Sequence, residues 1–226
     1  MIYYIKYIIK HFLDIPKTIW FNFRYFDLGI AVRLPVLISR KVKIGKMYRG
    51  AIKIESNSNI RTFMIKIGVE GVEGVSTFRN GYLLVSSNSK IVFKGRANLS
   101  KGVMLRVTKG ELRFGANVYS NCNLSVVCGC GVTIGDDCLL GWDICIRDCD
   151  GHAVVCDGRV SNESKQVLLG NHVWVGAHVD LLKGSIVGDG SVVGYGSCVT
   201  RPYPEANCLI GGYPARVIRR HVEWRA

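Results

Sequence analysis

The stretch that decides the fold runs from Leu169 to Val199 and reads LGNHVW-VGAHVD-LLKGSI-VGDGSV-VGYGSC-V, written here in units of six. An aliphatic residue opens every unit, and glycine follows it in four of them. The fifth residue of each complete unit is valine or serine. A short fixed period indicates a solenoid, and a period of six is typical of a parallel β-helix. The stretch therefore predicts an all-β fold whose chemistry lies where the repeat is interrupted.

Towards the amino terminus the period continues in groups of three units, which begin at Phe93, Phe114 and Ile134. The groups are followed by insertions of three, two and seventeen residues, respectively. A triangular coil has three faces, so we expect three units per turn and all insertions at one corner. The long insertion spans about residues 147–168. Loops of this length in a compact domain are usually functional or disordered, which makes it the first place to look for catalysis.

The pattern divides the chain into three parts. Residues 41–214 are predicted to form the β-helix, residues 1–40 an apolar and basic helical segment, and residues 215–226 a basic helix. Within residues 1–28 a helix would place apolar side chains on one face. These are Ile2, Ile5, Ile9, Phe12 and Ile15. Such a segment could cap the open end of the solenoid or make peripheral contact with a membrane surface, and we favour capping.

Composition limits the partners and the compartment. The 226 residues carry a net charge of +13, which suggests polyanionic partners such as nucleic acid, anionic lipid or a phosphorylated ligand. Lysine and arginine are spread along the chain without a dense run, so we expect no nucleic acid. Nine cysteines without a CxxC pair indicate reduced thiols in a cytoplasmic protein. We find no secretory signal and no apolar stretch long enough to span a membrane.

Three histidines are candidates for chemistry. His152 lies inside the long insertion, after Asp148 and Asp150, where a neutral imidazole could take a proton from a hydroxyl. The alternative is an ordinary loop histidine. His172 and His178 are six residues apart and could join His152 at a zinc ion. We favour the alternative, two corner residues facing solvent or a neighbouring subunit, and expect no metal.

Other residues near the carboxyl end could form a ligand site. Trp174 could form a wall of a cleft, or it could pack at a subunit contact. The glycines around Tyr195 let a ligand approach the backbone, and Thr200-Arg201 offers a guanidinium that suits phosphate. The simpler interpretation is that these glycines form turns and that Arg201 is a solvated cation.

These motifs resemble the hexapeptide-repeat O-acetyltransferases. The resemblance covers about residues 90–220 and rests on the repeat and on three further stretches. The stretches are Asp148-Cys149-Asp150-Gly151-His152, Gly170-Asn171-His172-Val173-Trp174-Val175-Gly176, and Gly211-Gly212-Tyr213-Pro214-Ala215-Arg216-Val217-Ile218-Arg219. The family includes galactoside, maltose and serine acetyltransferases and enzymes that acetylate bacterial surface polysaccharides. The resemblance implies a left-handed parallel β-helix, a homotrimer, and acetyl-CoA bound between neighbouring subunits.

The resemblance also implies roles for single residues. His152 stands where the family has its catalytic base, and Asn123 where galactoside-type members have an acceptor-site asparagine. Five residues stand at positions that touch CoA in the family: Gly176, Ala177, Tyr195, Thr200 and Arg201. The two tail arginines, Arg216 and Arg219, stand at positions that meet the CoA phosphates. Two residues depart from the pattern. Tyr195 replaces a small residue and could narrow the cofactor channel, and Tyr213 replaces an asparagine.

The function we expect is transfer of an acetyl group from acetyl-CoA to a hydroxyl of a sugar or surface-polysaccharide precursor. The acceptor would attack directly, with His152 as general base and Asp148, Asp150 or a backbone carbonyl orienting its ring. Trp174 would help to bind the acceptor. Serine or a xenobiotic are alternative acceptors. A zinc hydrase on the same fold and a scaffold without enzymatic activity are alternatives from other classes.

Overall fold

The computed structural model describes residues 11–55, 60–71 and 77–225. At the amino end of this part, a 3-10 turn (Phe12–Asp14) leads into helix α1 (Ile15–Tyr25), and a short helix α2 spans Leu28–Ala31. The remaining elements are strands. No helix within these ranges combines the length and the hydropathy needed to cross a bilayer. Of the residues predicted to form an apolar helical face, Ile2, Ile5 and Ile9 lie outside the described ranges.

Apart from one two-stranded hairpin, the described strands form three sheets in which all neighbours are parallel, except for the last strand of the first sheet. Sheet 1 contains β1 (Val36–Ile38), β4 (Ile65–Ile67), β7 (Ala97–Leu99), β10 (Val118–Ser120), β13 (Leu139–Leu140), β18 (Trp174–Val175), β21 (Val192–Val193), β24 (Leu209–Gly212) and β25 (Ala215–Arg219). Sheet 2 contains β2 (Lys43–Ile44), β5 (Tyr82–Val85), β8 (Met104–Val107), β11 (Ser125–Cys128), β14 (Cys145–Arg147), β19 (Asp180–Leu182) and β22 (Cys198–Val199). Sheet 3 contains β3 (Ile52–Ile54), β6 (Lys90–Phe93), β9 (Glu111–Phe114), β12 (Gly131–Ile134), β17 (Val167–Leu169), β20 (Ile186–Val187) and β23 (Pro202–Tyr203).

The chain visits the three sheets in turn, so each coil has three corners, which we name corner 1-2, corner 2-3 and corner 3-1 after the sheets they join. The three insertions seen in the sequence lie between β8 and β9, between β11 and β12, and between β14 and β17. All three therefore leave corner 2-3, as the spacing predicted. The long one contains a small antiparallel hairpin formed by β15 (Val155–Cys156) and β16 (Arg159–Val160).

The repeat forms the core. The six residues that open the units between Leu169 and Val199 are at most 3% exposed. The fifth residues of these units, including three serines, are also buried. In the amino-terminal half larger side chains fill the interior, and the rings of Phe93 and Phe114 stack with centroids 5.1 Å apart. The hydrophobic period therefore specifies which residue of each unit points inward, because an apolar side chain gains about 25 cal/mol per Å² that leaves water.

Helix α1 closes the first coil. Among the described residues only β4 pairs with β1, so the other edge of β1 has no strand neighbour there. The Asn22 amide donates to Val36 O (2.7 Å) and accepts from Val36 N (3.2 Å), and Thr18 Oγ1 makes the equivalent pair of contacts with Ile38. Both side chains are fully buried. The helix thus satisfies strand groups that would otherwise be open to another chain, and it does so through two polar side chains.

The β-helix begins earlier than expected. The sequence predicted residue 41 as its first residue, but Val36–Ile38 already pairs in parallel with β4. The repeat is too irregular here to reveal this strand from spacing. Leu37 is buried although its side chain lies outside the main core cluster. All three residues of β1 are therefore buried and apolar, and the sequence shows no alternation of apolar and polar residues here.

The predicted carboxy-terminal helix of residues 215–226 is wrong. Ala215–Arg219 is a strand that turns back at Gly212 and pairs antiparallel with β24. No helix follows it up to residue 225. The physical reason is the open edge of sheet 1, whose backbone groups pair with the returning chain. Ala215 is buried and Arg216 is exposed, and Val217 and Ile218 favour strand, so the local sequence suits a strand.

Candidate active site

Asp148 anchors the start of the long loop. Its side chain is fully buried, and its carboxylate accepts hydrogen bonds from the backbone N–H groups of Gly129, Cys130 and Gly131 at 2.6–2.8 Å. Charge-assisted bonds of this kind are about twice as strong as neutral ones. Asp148 O in turn accepts from Lys165 N near the end of the loop (3.0 Å). The two ends of the loop are therefore held together at corner 2-3.

Asp150 ties the loop to the next coil. Its Oδ2 accepts from Asn162 Nδ2 (2.8 Å) and from Lys183 Nζ (2.5 Å), and Lys183 also donates to Asn162 O (3.0 Å). Hydrogen bonds from Lys183 and Asn162 lower the pKa of the Asp150 carboxyl below its usual value. Asn162 donates as well to His152 O (2.8 Å), so this network fixes the backbone that carries the histidine.

His152 is exposed, and its imidazole makes no hydrogen bond or ion pair with any other residue in the described part of this protomer. Neither Asp148 nor Asp150 contacts the ring, because the first binds backbone amides and the second binds Lys183 and Asn162. The expectation that one of these carboxylates orients the imidazole is therefore not met within one protomer. Asp150 positions the loop instead.

The thiols near the loop base are poor nucleophiles. Burial, and secondly the Asp148 carboxylate, raise the pKa of Cys130 to about 11 and also raise the pKa of Cys149. The thiolate is the nucleophilic form of cysteine, so neither residue is activated at neutral pH. These two thiols are therefore not suited to covalent catalysis.

Asn123 lies at corner 1-2 in a left-handed conformation (φ 66°). Its Nδ2 donates to Asp143 Oδ1 (2.9 Å), and its Oδ1 accepts from Thr77 Oγ1 (2.6 Å). One coil further, His178 Nε2 lies 3.9 Å from Asp143 Oδ2. These partners fix the orientation of the Asn123 amide, and its second amide proton has no partner among the described residues.

The same corner carries Gly176, Gly194 and Gly196, which we call the glycine row. A Cβ on Gly176 would meet Tyr195 N at 2.9 Å and Val193 O at 3.0 Å, so this position excludes any side chain. Ala177 is buried, and its carbonyl accepts from Gly196 N (3.0 Å). Tyr195 is 71% exposed, and its ring lies edge-on to His178 with centroids 5.1 Å apart. Tyr195 therefore projects from the corner over the outer surface and does not fill the interior.

The predicted cations lie at two places. Thr200 and Arg201 occupy corner 2-3, and Arg201 Nε donates to Tyr203 Oη (2.8 Å) with its guanidinium 5.4 Å from that ring. Tyr203 Oη reaches Ala215 O, which also accepts from Arg216 Nη1 (3.0 Å). Arg216 and Arg219 are exposed on β25. The tail strand and corner 2-3 are thus connected through Tyr203.

Trp174 and His172 contact the carboxy-terminal segment. The His172 ring stacks on Trp224 (centroids 4.1 Å, planes 8° apart), and Trp224 Nε1 donates to His172 O (2.9 Å). Trp174 is 41% exposed on the outer face of sheet 1, with its ring centroid 6.1 Å from that of Trp224. His172 lies at corner 3-1 and His178 at corner 1-2, so the two histidines do not meet. The described residues hold no group of three side chains arranged for a metal ion.

Most of the predicted site residues fall into two groups at the two corners that bound sheet 2, whereas Trp174, Arg216 and Arg219 lie on sheet 1. Corner 2-3 carries His152, Asp150, Thr200 and Arg201, whereas corner 1-2 carries Asn123 and the glycine row. Asp148 lies five positions after Asp143, an extended span of about 17 Å at most. No contact joins the two groups within the described part of one protomer.

Sequence reasoning missed three residues that shape the site. Lys183 and Asn162 hold the loop, and Asp143 orients Asn123. Asp143 carried a usable signal, because it lies 20 residues after Asn123, at the same corner one coil later. Lys183 and Asn162 carried none, since their contact depends on how an irregular loop folds back.

A cleft of about 800 Å³ lies on the outer face of sheet 1, towards corner 3-1. Arg61, Arg96, Asn98, Asn117 and Tyr119 are among the residues that line it. None of the residues predicted to bind CoA or acceptor lines it.

Comparison with known proteins identifies the family. No protein-family model matches the chain. The galactoside O-acetyltransferase of Escherichia coli K12 is 40% identical over 111 residues, which cover 48% of this chain and 54% of that enzyme. This chain thus spans about half the length of that relative. The crystal structure of the polysialic-acid-specific acetyltransferase NeuO matches with a TM-score of 0.63 and 26% identity, covering 84% of this chain and 73% of that one.

The Escherichia coli K12 protein WbbJ, named for O-acetyl transfer in lipopolysaccharide biosynthesis, is 33% identical over 137 residues. This alignment covers 55% of the present chain and 69% of WbbJ. The chain belongs to the hexapeptide-repeat O-acetyltransferases. The crystal structure of NeuO and this chain share an architecture of mostly parallel sheets with few helices.

Proposed function

We propose that this hexapeptide-repeat protein transfers an acetyl group from acetyl-CoA to a hydroxyl of a sugar or surface-polysaccharide precursor. One observation carries the proposal. A long loop presents an exposed imidazole at one corner of the solenoid, and a buried aspartate and an ion pair fix that loop. The names of the galactoside, polysialic-acid and lipopolysaccharide relatives support the substrate class.

The finer form of the fold is also a proposal. We infer a left-handed β-helix with three hexapeptide units per coil. The rotation of successive strands through three sheets supports this, as does the likeness to NeuO. The insertions support it as well, since all of them leave one corner.

We infer that the active unit is a homotrimer with sites between protomers. The two groups of site residues lie at opposite ends of sheet 2, and the His152 ring has no partner among the described residues of its own protomer. If corner 2-3 of one protomer approaches corner 1-2 of the next, His152 and Asn123 come together. A cyclic trimer repeats this heterologous contact three times and closes.

The residues present suit a CoA ester. Gly176 and Gly194 are partly exposed at corner 1-2 and carry no side chain, and Tyr195 beside them offers an exposed aromatic ring. The exposed guanidinium groups of Arg201, Arg216 and Arg219 suit phosphates, which they could bind through paired N–H donors. Acetyl-CoA supplies an activated acyl group when bound.

The chemistry then needs one proton shuttle. The acceptor hydroxyl attacks the thioester carbonyl carbon directly, and His152 takes the hydroxyl proton as the C–O bond forms. His152 can return that proton to the departing CoA thiolate. A positioned general base contributes about 10²–10⁴-fold. No covalent enzyme intermediate is required, which agrees with the raised pKa of the Cys130 and Cys149 thiols. Asn123 and Trp174 are proposed to hold the acceptor.

The nine cysteines are free thiols, which supports the proposal of a reducing, cytoplasmic location.

The test is CoA release by the purified protein with a panel of free sugars, nucleotide sugars, serine and other amino acids. We expect release with at least one sugar-containing acceptor, and an increase in Tm with CoA. A ligand at 100 times its Kd adds about 2.7 kcal/mol of stability. No stabilisation by millimolar CoA and no release with any acceptor would contradict the proposal and favour a scaffold. Release with serine alone would change the substrate class.

A further inference from the structure

Helix α1 carries large apolar side chains on its outer face as well as buried side chains on its inner face. Thr18, Phe21, Asn22 and Tyr25 are buried against the first coil. The opposite face carries Ile19, Trp20 and Phe23, which are 43%, 49% and 42% exposed. Amphipathic surface helices have polar residues on the face away from the core, so this helix departs from the usual pattern.

The exposed apolar surface continues beyond the helix on both sides. We call it the end surface, and it consists of Phe12, Leu13, Ile19, Trp20, Phe23, Leu28 and Val32. Phe12, Leu13, Leu28 and Val32 are each more than half exposed. Single exposed apolar residues are common, but a contiguous patch of large ones marks an interaction site.

The part of the chain that carries this surface is basic. Residues 11–49 contain eight lysines and arginines against two aspartates, a difference of +6. Asp14 is engaged, because its carboxylate accepts from Arg40 N (2.7 Å) and lies 3.4 Å from His11 Nδ1. Arg24 and Arg33 are exposed within and just after the helical segment. An apolar surface with aromatic residues and a basic surround suits the interface of an anionic bilayer.

We infer that the end surface docks on the surface of an anionic phospholipid bilayer, with α1 lying in the plane of the interface. The inner face of α1 covers the free edge of β1, so its outer face points along the axis of the solenoid, away from the coils. Bound in this way, the solenoid stands upright on the membrane.

This orientation, together with the proposed function, sets the height of the acceptor above the membrane surface. Four strand spacings of about 4.8 Å separate β1 from β13 in sheet 1, so corner 1-2 of that coil lies about 20 Å above β1. The site would then reach sugar units held away from the lipid headgroups, as in a membrane-anchored glycan.

The experiment measures co-sedimentation of the full chain with vesicles of phosphatidylcholine, alone or with about 30% phosphatidylglycerol, which supplies the negative surface potential. We expect binding to the anionic vesicles that weakens with salt. The variant Ile19→Asn/Phe23→Asn should lower the partition coefficient at least tenfold. Its Tm should stay unchanged because both side chains are exposed. The matched control is Ile218→Asn, which alters an exposed apolar residue on β25 at the other end of the solenoid and should bind like wild type.

A second readout holds even if the double variant folds poorly. Lipids brominated on their acyl chains should quench the emission of wild-type protein, and Trp20→Phe should lose most of this quenching while it still binds. Absent binding of wild type to anionic vesicles would overturn the inference. Vesicle binding of the double variant equal to that of wild type would also overturn it. So would a double variant whose oligomeric mass differs from wild type while its vesicle binding does not. CoA release with a free sugar is measured in parallel, so a failure of docking and a failure of the proposed function are told apart.

Discussion

The ammonium group of Lys183 lies 2.5 Å from Asp150 Oδ2, and this ion pair joins the long loop to the coil that follows it. Lys183 comes directly after β19, at the corner from which the loop itself departs. The loop and the rigid solenoid are therefore connected at the level of the candidate general base.

Lys183→Met should loosen the loop without unfolding the solenoid. We expect faster proteolytic cleavage within residues 150–165 and a several-fold loss of acetyl transfer. The unfolding free energy should change by less than about 1 kcal/mol, because the pair is partly exposed. Lys94→Met is the matched control, since it removes a comparable ion pair with Asp136 (2.6 Å) at a different corner. An unchanged cleavage rate in Lys183→Met would show that the pair does not hold the loop.

Acid should release the loop in a defined direction. The pKa of Asp150 is lowered in the folded protein, mainly by its hydrogen bond from Lys183. The stabilisation is therefore fully present above the ordinary carboxyl pKa of about 4 and is lost as pH falls through the lowered value. Hydrogen exchange of the loop amides, measured from pH 6 to 3 and corrected for intrinsic rates, should show protection lost only in the acidic part. Asp150→Asn should remove this dependence, and loss of protection already near pH 6 would contradict the assignment.

Asp148→Asn should destabilise the protein more strongly. The amide can offer only one acceptor atom where the carboxylate now binds three N–H groups, and its NH₂ would face donors. We expect a loss of about 2–4 kcal/mol in urea denaturation. Asp157→Asn, in the exposed turn of the same loop, should have no measurable effect. A loss below about 0.5 kcal/mol in Asp148→Asn would show that the buried carboxylate is not the anchor.

Spacing in the sequence could predict the solenoid, the common corner of all three insertions and the identity of the inward residues. These follow from burial, which acts on each unit in the same way. It could not predict that Ala215–Arg219 is a strand, because that depends on a free sheet edge formed by distant residues. Likewise, Asp150 was expected near an imidazole because the two are close in sequence, whereas the folded loop brings it to Lys183. Residue types pointed to the site, but the contacts that fix it depend on the fold of an irregular loop.

The glycine row at corner 1-2 can be tested by a matched pair of variants. Gly176→Ala would place a Cβ 2.9 Å from Tyr195 N, against backbone that cannot move freely, whereas the nearest atom to a Cβ on Gly194 is 3.6 Å away. We expect Gly176→Ala to lower Tm by several degrees and to weaken CoA binding, and Gly194→Ala to keep the wild-type Tm. Equal Tm values for the two variants would show that the close backbone approach at Gly176 is not limiting.

The most direct test of the account mixes two inactive variants, His152→Ala and Asn123→Ala, by refolding or co-expression, and measures CoA release. A site shared between protomers has one intact copy in each mixed trimer, formed by His152 of one subunit and Asn123 of the next. Random mixing in equal amounts then restores about a quarter of wild-type activity. We predict that each parent variant is inactive on its own and that the mixture recovers this fraction. A mixture as inactive as its parents, with mixed trimers present by mass, would contradict a site between protomers. A fully active His152→Ala parent would contradict the role of the base.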